Sequence, residues 1–519
     1  MIFRGPYPDI AIPGGPVTPF VLRHAARLAD KPALIDGVTG QSLTYGQLAE
    51  GVARVAAGLA SRGVRKGDVF AIATPNCPEF AIALYAVLSL GGVVTPANPM
   101  LTADELACQL NDAGATYLLT VPSCLESAKA AVASSAVREL FVIGEAPGAT
   151  PLAALLDHGV DAPAVEIEPS HDLALLPYSS GTTGLPKGVM LTHANLVANA
   201  AQVAVVEPVT EADTLIGILP FFHVYGMTVL LNLALSVGAT VVTLPRFALE
   251  QFLQTMQTYG VTYAFLAPPI VLALAKQPVV EQYDLSRLEY ITCGAAPLSS
   301  DLAAACAERL GCHVKQGYGL TEASPVTHLT PPAPDGIKPA AIGLLLPSTE
   351  GKIVDPASGA ELGTREQGEI WIRGPQVMRG YLNRPEASAA MIDADGWLRT
   401  GDIGYVDEDG YFYVVDRLKE LIKVKGFQVA PAELEGVLLA HPAVADAAVI
   451  PSPDEEAGEV PKAFVVLKAA ATPEELMAFV AARVAPYKKV RLMEFVDQIP
   501  KSASGKILRR VLIEREKVR

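Results

Sequence analysis

The chain is poor in cysteine, in positive charge and in anything that would address it to a membrane. Six cysteines are spread over 519 residues, at positions 77, 108, 124, 293, 306 and 312. None forms a CxxC pair, and no spacing matches a zinc site. So sparse a set reads as reduced, mostly buried thiols and implies a cytoplasmic protein. Lys and Arg total 40 against 55 Asp and Glu, a formal net charge of −15. That balance argues against a nucleic-acid or anionic-membrane surface. The start, Met1-Ile2-Phe3-Arg4-Gly5-Pro6, lacks a signal-peptide pattern, and the end, Lys517-Val518-Arg519, is not a peroxisomal address. The charge-free run 80–103 contains Gly91-Gly92, Pro96 and Pro99. It therefore reads as a buried helix followed by a strand, with no integral membrane association. Internal repeats and low-complexity segments are also missing.

What is present is apolar residues, half of the total. At this length they exceed one ordinary core, so two or more domains are expected. Two capping boxes, Thr44 with Gln47 and Thr102 with Glu105, open helices. Apolar strand candidates at 67–73, 116–121, 139–144, 214–219, 239–244, 261–267, 288–293 and 313–316 alternate with helical stretches. Strand and helix in turn imply parallel sheets covered on both faces, with ligands beyond the carboxyl ends of the strands. From about residue 340 to 416 the strands shorten and Asp409-Gly410 marks a hairpin, which suggests a small antiparallel barrel. Another change near 416 leads to residues 420–519, read as a separate small α+β domain. The Ala/Pro-rich segment 330–340 reads as a loop.

The stretch of densest chemistry is Tyr178-Ser179-Ser180-Gly181-Thr182-Thr183-Gly184-Leu185-Pro186-Lys187-Gly188. Hydroxyls and glycines at a strand end bring O–H and backbone N–H groups close to phosphate oxygens. Lys187 adds a point charge. A nucleotide-kinase loop would need Gly-Lys followed by Ser or Thr and a helix; here Lys187 precedes Gly188 and a strand. Phe221-Phe222-His223-Val224-Tyr225-Gly226 follows a strand, which places a histidine at a strand end. Cys293-Gly294-Ala295-Ala296-Pro297 leaves side chains out of a tight turn, so a flat ring can lie against backbone. Gln316-Gly317-Tyr318-Gly319-Leu320-Thr321-Glu322 sets a hydroxyl and a carboxylate just after an aromatic. Thr321 can bond phosphate, and Glu322 can hold Mg²⁺, a hard cation that prefers oxygen. Asp402, placed at a strand end, pairs with Arg417 as a clamp for sugar hydroxyls.

These motifs resemble the adenylate-forming superfamily: acyl-CoA synthetases, aryl-CoA ligases, beetle luciferases and peptide-synthetase adenylation domains. The resemblance covers nearly the whole chain and is strongest to 4-coumarate–CoA ligases and their bacterial relatives. It implies a large N-terminal domain, 1–416, of two stacked, mostly parallel sheets with helices and the small barrel, a hinge at 417–419, and a mobile C-terminal lid, 420–519. It implies that Ser179, Ser180, Gly181, Thr182, Thr183 and Lys187 hold ATP phosphates. Gly294, Ala295, Ala296, Pro297, Gln316, Gly317, Tyr318 and Thr321 would take adenine and α-phosphate, and Asp402 and Arg417 the ribose. Glu322 and Ser179 would lie on the Mg²⁺ side. His223, Tyr225, Val229, Gly294, Gly317, Gly319, Pro325 and Val326 would line the acyl pocket, and Ser324 stands where close relatives often have glycine.

The resemblance makes Lys419 the hinge and Lys506, in Pro500-Lys501-Ser502-Ala503-Ser504-Gly505-Lys506 at the end of a strand, the adenylation lysine. Lys423, Lys425, Gly426 and Gln428 sit on the lid, with Lys425 and Gly426 bordering a pantetheine tunnel. The implied activity is an ATP-dependent carboxylate–CoA ligase that forms an acyl-adenylate, with His223, Thr321, Glu322 and Lys506 as catalytic residues. Its acid is aryl-propenoate-like or a medium-to-long-chain acid, and the enzyme is a monomer or homodimer. An acyl-AMP ligase loading a carrier protein and a non-catalytic nucleotide-binding homologue are the alternatives. A peptide-synthetase domain would need an acid near His223 to bind an amine, and His223-Val224-Tyr225-Gly226-Met227-Thr228 offers none.

Overall fold

The computed structural model describes residues 1–156, 161–179, 186–418, 420–424, 427–454, 457–502 and 505–517. Two large sheets carry most of the chain. One runs, from edge to edge, Leu344–Leu345, Val326–Leu329, His313–Gly319, Tyr290–Cys293, Tyr263–Leu266, Thr214–Gly217, Thr240–Thr243, Pro32–Asp36 and Ser42–Thr44. Its six inner strands, His313–Gly319 to Pro32–Asp36, are parallel to one another. The other is built on Val93–Pro96, Val69–Ile72, Ala115–Thr120 and Glu139–Val142, again parallel. Lys187–Thr192 joins its edge antiparallel to Leu173–Leu175. One continuous apolar core takes side chains from both sheets, for example Leu34, Leu215 and Tyr263 from the first and Phe70, Phe141 and Leu175 from the second.

The helices form for local reasons. Thr44 accepts from the Gln47 N–H while Gln47 accepts from Thr44, and Thr102 and Glu105 repeat the arrangement. Helix Tyr45–Ser61 then buries Leu48, Val52, Val55 and Leu59 along one face. The charge-free run resolves into helix Pro78–Ser89, with Pro78 at its start, followed by strand Val93–Pro96. Among the described residues no helix is long and apolar enough to cross a membrane.

The region expected to form a small barrel is a half-barrel: a five-stranded antiparallel sheet ordered Phe3–Arg4, Glu350–Val354, Gly368–Arg373, Leu398–Val406 and Phe412–Arg417. Its first strand comes from the chain start, 346 residues from its partner across the ladder at Arg4 and Glu350. Asp402, expected at a strand end, lies inside the strand Leu398–Val406. Gly401 at φ +72° and a register shift after Ile403 break the regular alternation there and conceal the strand's length.

The tail has its own core of Ile422, Val424, Leu434, Leu438, Val449, Val465 and Leu476. A small apolar cluster of Ile403, Leu421 and Ala430 joins it to the half-barrel. The long hairpin Val444–Asp454 and Gly458–Leu467 carries it. The segment expected to end a strand near the C-terminus does not do so. The strand Leu492–Phe495 ends earlier, and Lys501 and Ile507 close a turn by a single bridge. Of the six cysteines only Cys293, Cys306 and Cys312 are buried, and Cys108 is exposed, so the expectation of mostly buried thiols holds for half of them.

Candidate active site

Of the residues singled out in the sequence, His223, Tyr225, Gly294, Gly317, Tyr318 and Thr321 gather beyond the carboxyl ends of the first sheet's parallel strands. After Thr214–Gly217 the chain turns through Pro220 and Phe221 to His223. Asn76, from the second sheet's side, braces this turn: its amide donates to the carbonyls of Gly217 (3.0 Å) and Leu219 (2.8 Å) and accepts from the Phe221 N–H (2.7 Å). His223 then caps a short helical turn, its Nδ1 accepting from the Tyr225 N–H at 3.2 Å. An accepting Nδ1 leaves the ring proton on Nε2. Burial, reinforced by the charge of Lys506, pulls the histidine down to about 4, so at neutral pH it is an uncharged donor.

The next two strands contribute backbone. Cys293 ends its strand, and Gly294 and Ala295 follow, Ala295 in the left-handed region at φ +73°. Gln316, buried in the neighbouring strand, brackets the turn. Its Oε1 accepts from the Leu298 N–H, and its Nε2 donates to the carbonyls of Leu298 and Pro339. Its amide is therefore committed to holding the Ala295-Ala296-Pro297 turn. Strand His313–Gly319 continues past Gln316 and carries Tyr318, whose hydroxyl donates to Asp402. Asp402 faces Arg417 across the half-barrel ladder, with Nε to Oδ1 at 3.2 Å. The pairing of Asp402 with Arg417 expected from sequence is thus an ion pair built on two adjacent strands.

Around the cleft between these elements stand His223, Tyr225, Val229, Gly294, Gly317, Gly319, Pro325 and Val326, together with Ala295, Tyr318 and Thr321. Val203, Phe265, Thr292, Leu320 and Leu329 complete the walls. Gly319 is required by a close approach: a Cβ there would fall 2.2 Å from the Pro325 carbonyl oxygen. Ser324 adopts φ +71°, and its hydroxyl donates to the Gln376 carbonyl at 2.8 Å. The serine at this position is thus buried and committed to Gln376.

Glu322 is nearly buried and takes two hydrogen bonds on Oε1, from Ser179 Oγ at 2.9 Å and from the Tyr381 hydroxyl at 2.8 Å. Lys187 opens the strand Lys187–Thr192 and lies over the Tyr381 ring at 4.9 Å. Tyr381 was not apparent from sequence. Its strand Gly380–Tyr381 docks on Lys187–Thr192, a pairing of segments about 190 residues apart that no local pattern signals. Tyr178, at the loop's start, is pinned by its hydroxyl to Asp112 at 2.8 Å.

Lys506 is brought into this site. Burial first, and then the positive field of Arg417, lower its ammonium to about 8. Its turn packs on Ala267 and Pro269, at the end of the strand Tyr263–Leu266. The helix that follows the turn is tied to the tail at its first residue, Arg509, which bonds Glu420 and both oxygens of Glu435. Lys423 is exposed. Ser180, Gly181, Thr182 and Thr183 of the phosphate-loop stretch, the hinge Lys419, and Lys425 and Gly426 lie outside the described residues, as does the side chain of Gln428.

Comparison with known proteins agrees with this geometry. A family model described as AMP-binding enzyme matches residues 21–382, and one described as AMP-binding enzyme C-terminal domain matches 433–506. The chain is 44% identical to 4-coumarate–CoA ligase 5 of Oryza sativa subsp. japonica, over 98% of this chain and 96% of the relative. It is 43% identical to 4-coumarate–CoA ligase of Pinus taeda, over 99% and 97%. Among solved structures, an anthranilate CoA ligase in complex with anthranoyl-AMP superposes with a TM-score of 0.91 at 28% identity, covering 98% of each chain. An o-succinylbenzoate CoA synthetase from Bacillus subtilis, with its acyl-adenylate intermediate, superposes at 0.83 and 32% identity, covering 96% of this chain and 98% of its own. With both family models spanning the residues that build the cleft and its lysine-bearing tail, the chain belongs to the AMP-binding enzyme family.

Proposed function

We propose that the chain activates a carboxylic acid with ATP and transfers the acyl group to coenzyme A. It is an AMP-forming acid–thiol ligase. The observation that carries the mechanism is the convergence of Lys506, His223, the Asp402–Arg417 pair and the Glu322–Ser179 pair around one cleft, from five separate parts of the chain.

In the first step a carboxylate oxygen attacks the α-phosphorus of ATP, the bond to pyrophosphate breaks, and an acyl-adenylate forms. Asp402 and Arg417 hold the ribose, and the Gly294–Pro297 turn and Tyr318 hold adenine. Neutral His223 donates from Nε2 toward the carboxylate without adding a charge that would trap it. Lys506, protonated, offsets negative charge gathering between carboxylate and α-phosphate. Such chemistry is positioning and electrostatics. Mg²⁺ fits the oxygen donors of Glu322 and Ser179, and would neutralise phosphate charge there while keeping water and phosphate ligands.

In the second step the tail turns about Lys419, withdrawing Lys506 and bringing Lys425 and Gly426 to the cleft. The thiolate of CoA attacks the acyl carbonyl and AMP leaves. The acyl group is an aryl-propenoate or a medium-to-long-chain acid, and the enzyme works in the cytoplasm. The test is CoA-dependent AMP formation over a panel of carboxylic acids. AMP with a thioester product supports the reading. AMP only with an added carrier protein favours the acyl-AMP ligase, and no AMP with any acid overturns both.

A further inference from the structure

One carboxylate beside the phosphate-loop stretch has no part in the two-step chemistry. Asp112 stands at the end of helix Ala103–Ala113, which leads into the second sheet's inner strand Ala115–Thr120. The helix itself does not call for an acid there. Its carbonyl end carries partial negative charge, and no basic residue stands in its last turn. What the carboxylate does is join two other segments, 66 and 272 residues further along the chain. Its Oδ2 accepts from the Tyr178 hydroxyl at 2.8 Å, and its Oδ1 accepts from Arg384 Nη2 at 3.1 Å. Burial first, and then the bond to Asp112, push the Tyr178 hydroxyl far above its ordinary range, so it remains a donor.

Both partners belong to one short ladder. Tyr178 pairs with Gly188 and Ser179 with Lys187, antiparallel, at the two ends of the stretch. Val189 and Met190 pair in turn with Tyr381 and Gly380. The strand Lys187–Thr192 is therefore the middle one. Its Val189 N–H donates to the Pro177 carbonyl on one side, and its Gly188 carbonyl accepts from the Leu382 N–H on the other, both at 2.8 Å. Gly188 has neighbours from both sides: a Cβ there would fall 3.2 Å from Tyr178 Cζ and 3.4 Å from Leu382 Cβ, crowding the two segments that Asp112 joins. The ladder also carries the side chains that meet at Glu322. Ser179 and Tyr381 bond its Oε1 from the two outer strands, and Lys187 lies over the Tyr381 ring.

We propose that Asp112 is a positioning residue for the first half-reaction: by holding Tyr178 and Arg384 together it braces the outer strands of this ladder, and so fixes where Ser179, Lys187 and Tyr381 stand relative to the ATP phosphates. This rests on the ligase reading. Without the brace, Ser179 is free to shift with Tyr178, its chain neighbour, and its bond to Glu322 slackens; a small misplacement of groups that position a reacting phosphate is costly. The phosphates concerned leave as pyrophosphate, so the brace bears on the first step and not on thioester formation.

The experiment measures both steps in the full chain and in Asp112→Ala. With ATP varied and the best acid of the panel held saturating, kcat/KM for ATP in pyrophosphate release is expected to fall about tenfold. Thioester formation from supplied acyl-adenylate and CoA is expected to stay unchanged, a split that general damage to the fold would not produce. Tyr178→Phe removes the other half of the same bond and gives the same split. The double variant loses no more than the worse single one, because the two side chains act through one contact. Asp112→Asn keeps an oxygen for Tyr178 and recovers most of the first step. Equal losses in both steps, or a first step unchanged in both Asp112→Ala and Tyr178→Phe, overturn this inference and leave the ligase reading standing. No pyrophosphate from the unsubstituted chain with any acid of the panel overturns the ligase reading and this inference with it.

Discussion

Lys506 offers the sharpest test of the mechanism, because the structure supplies both its position and its ionisation. Burial and Arg417 bring its ammonium down to about 8 from the usual 10.5. The charged form is then about 90% of the total at pH 7 and about 10% at pH 9. If the charged form is what stabilises the first step, kcat/KM for pyrophosphate release falls roughly tenfold per pH unit above 8. Replacing Lys506 with alanine removes the charge outright, a loss of about 10²–10³ in rate or roughly 3–4 kcal/mol. Its residual activity is expected to lack the basic limb. Lys506→Arg keeps a charge that does not titrate in this range, so the limb disappears there as well, whatever the rate.

The assay is pyrophosphate release from ATP and acid without CoA, run from pH 6 to about 10. In parallel, thioester formation from supplied acyl-adenylate and CoA reports the second step. Under the proposed two-step mechanism that step survives Lys506→Ala, because there the lysine leaves the cleft before CoA attacks. A basic limb that persists in Lys506→Ala, or an equal loss of both steps, refutes the reasoning.

Other perturbations follow from the same geometry. Tyr381→Phe removes one of the two hydrogen bonds on Glu322 Oε1 and is expected to lower kcat/KM for ATP about tenfold without changing the preference among acids, read from initial rates at varied ATP. Gly319→Ala sets a Cβ against the Pro325 carbonyl and is expected to cost about 1–3 kcal/mol of stability along with most of the activity, whereas at Gly317 the obstacle is the tip of the Leu329 side chain, which can move, so Gly317→Ala keeps the fold; thermal melts and pyrophosphate release separate them. His193 and His223 are held down to about 4 and His328 to about 3 by burial. The unfolded chain binds these three protons below about 6.5, while the folded chain refuses two of them until about 4 and the third, on His328, until about 3. Their stabilisation is full above pH 6.5 and is lost as pH falls, by about 2 kcal/mol each at pH 5, so urea midpoints should drop between pH 7 and pH 5; unchanged midpoints would contradict the burial of these rings.

Much of the site was legible because its chemistry is local. The run from Tyr318 to Glu322 and the turn after Cys293 declare themselves within a few residues, since close approach to a ligand demands glycine and small side chains at fixed offsets. Capping boxes at Thr44 and Thr102 are equally local, each closed by a partner three residues on. Hydrophobic periodicity told which face of a helix or strand is buried, and so the alternation that demands parallel sheets.

What burial patterns cannot convey is against which partner a face is buried. The pairing of Phe3–Arg4 with Glu350–Val354, the docking of Gly380–Tyr381 on Lys187–Thr192 and the reach of Asp402 to Arg417 inside a ladder are decided by long-range register. Glu207 and Lys315, 108 residues apart, look like two ordinary surface charges until the fold seals them together. The sequence by itself determined which loops carry the glycines, hydroxyls and charges of the candidate site, because those residue types stand within a few positions of one another, and through them the family the chain resembles. The tertiary structure alone decided the shape of the cleft and which side chains line it, because these arise where side chains from distant strands share one space.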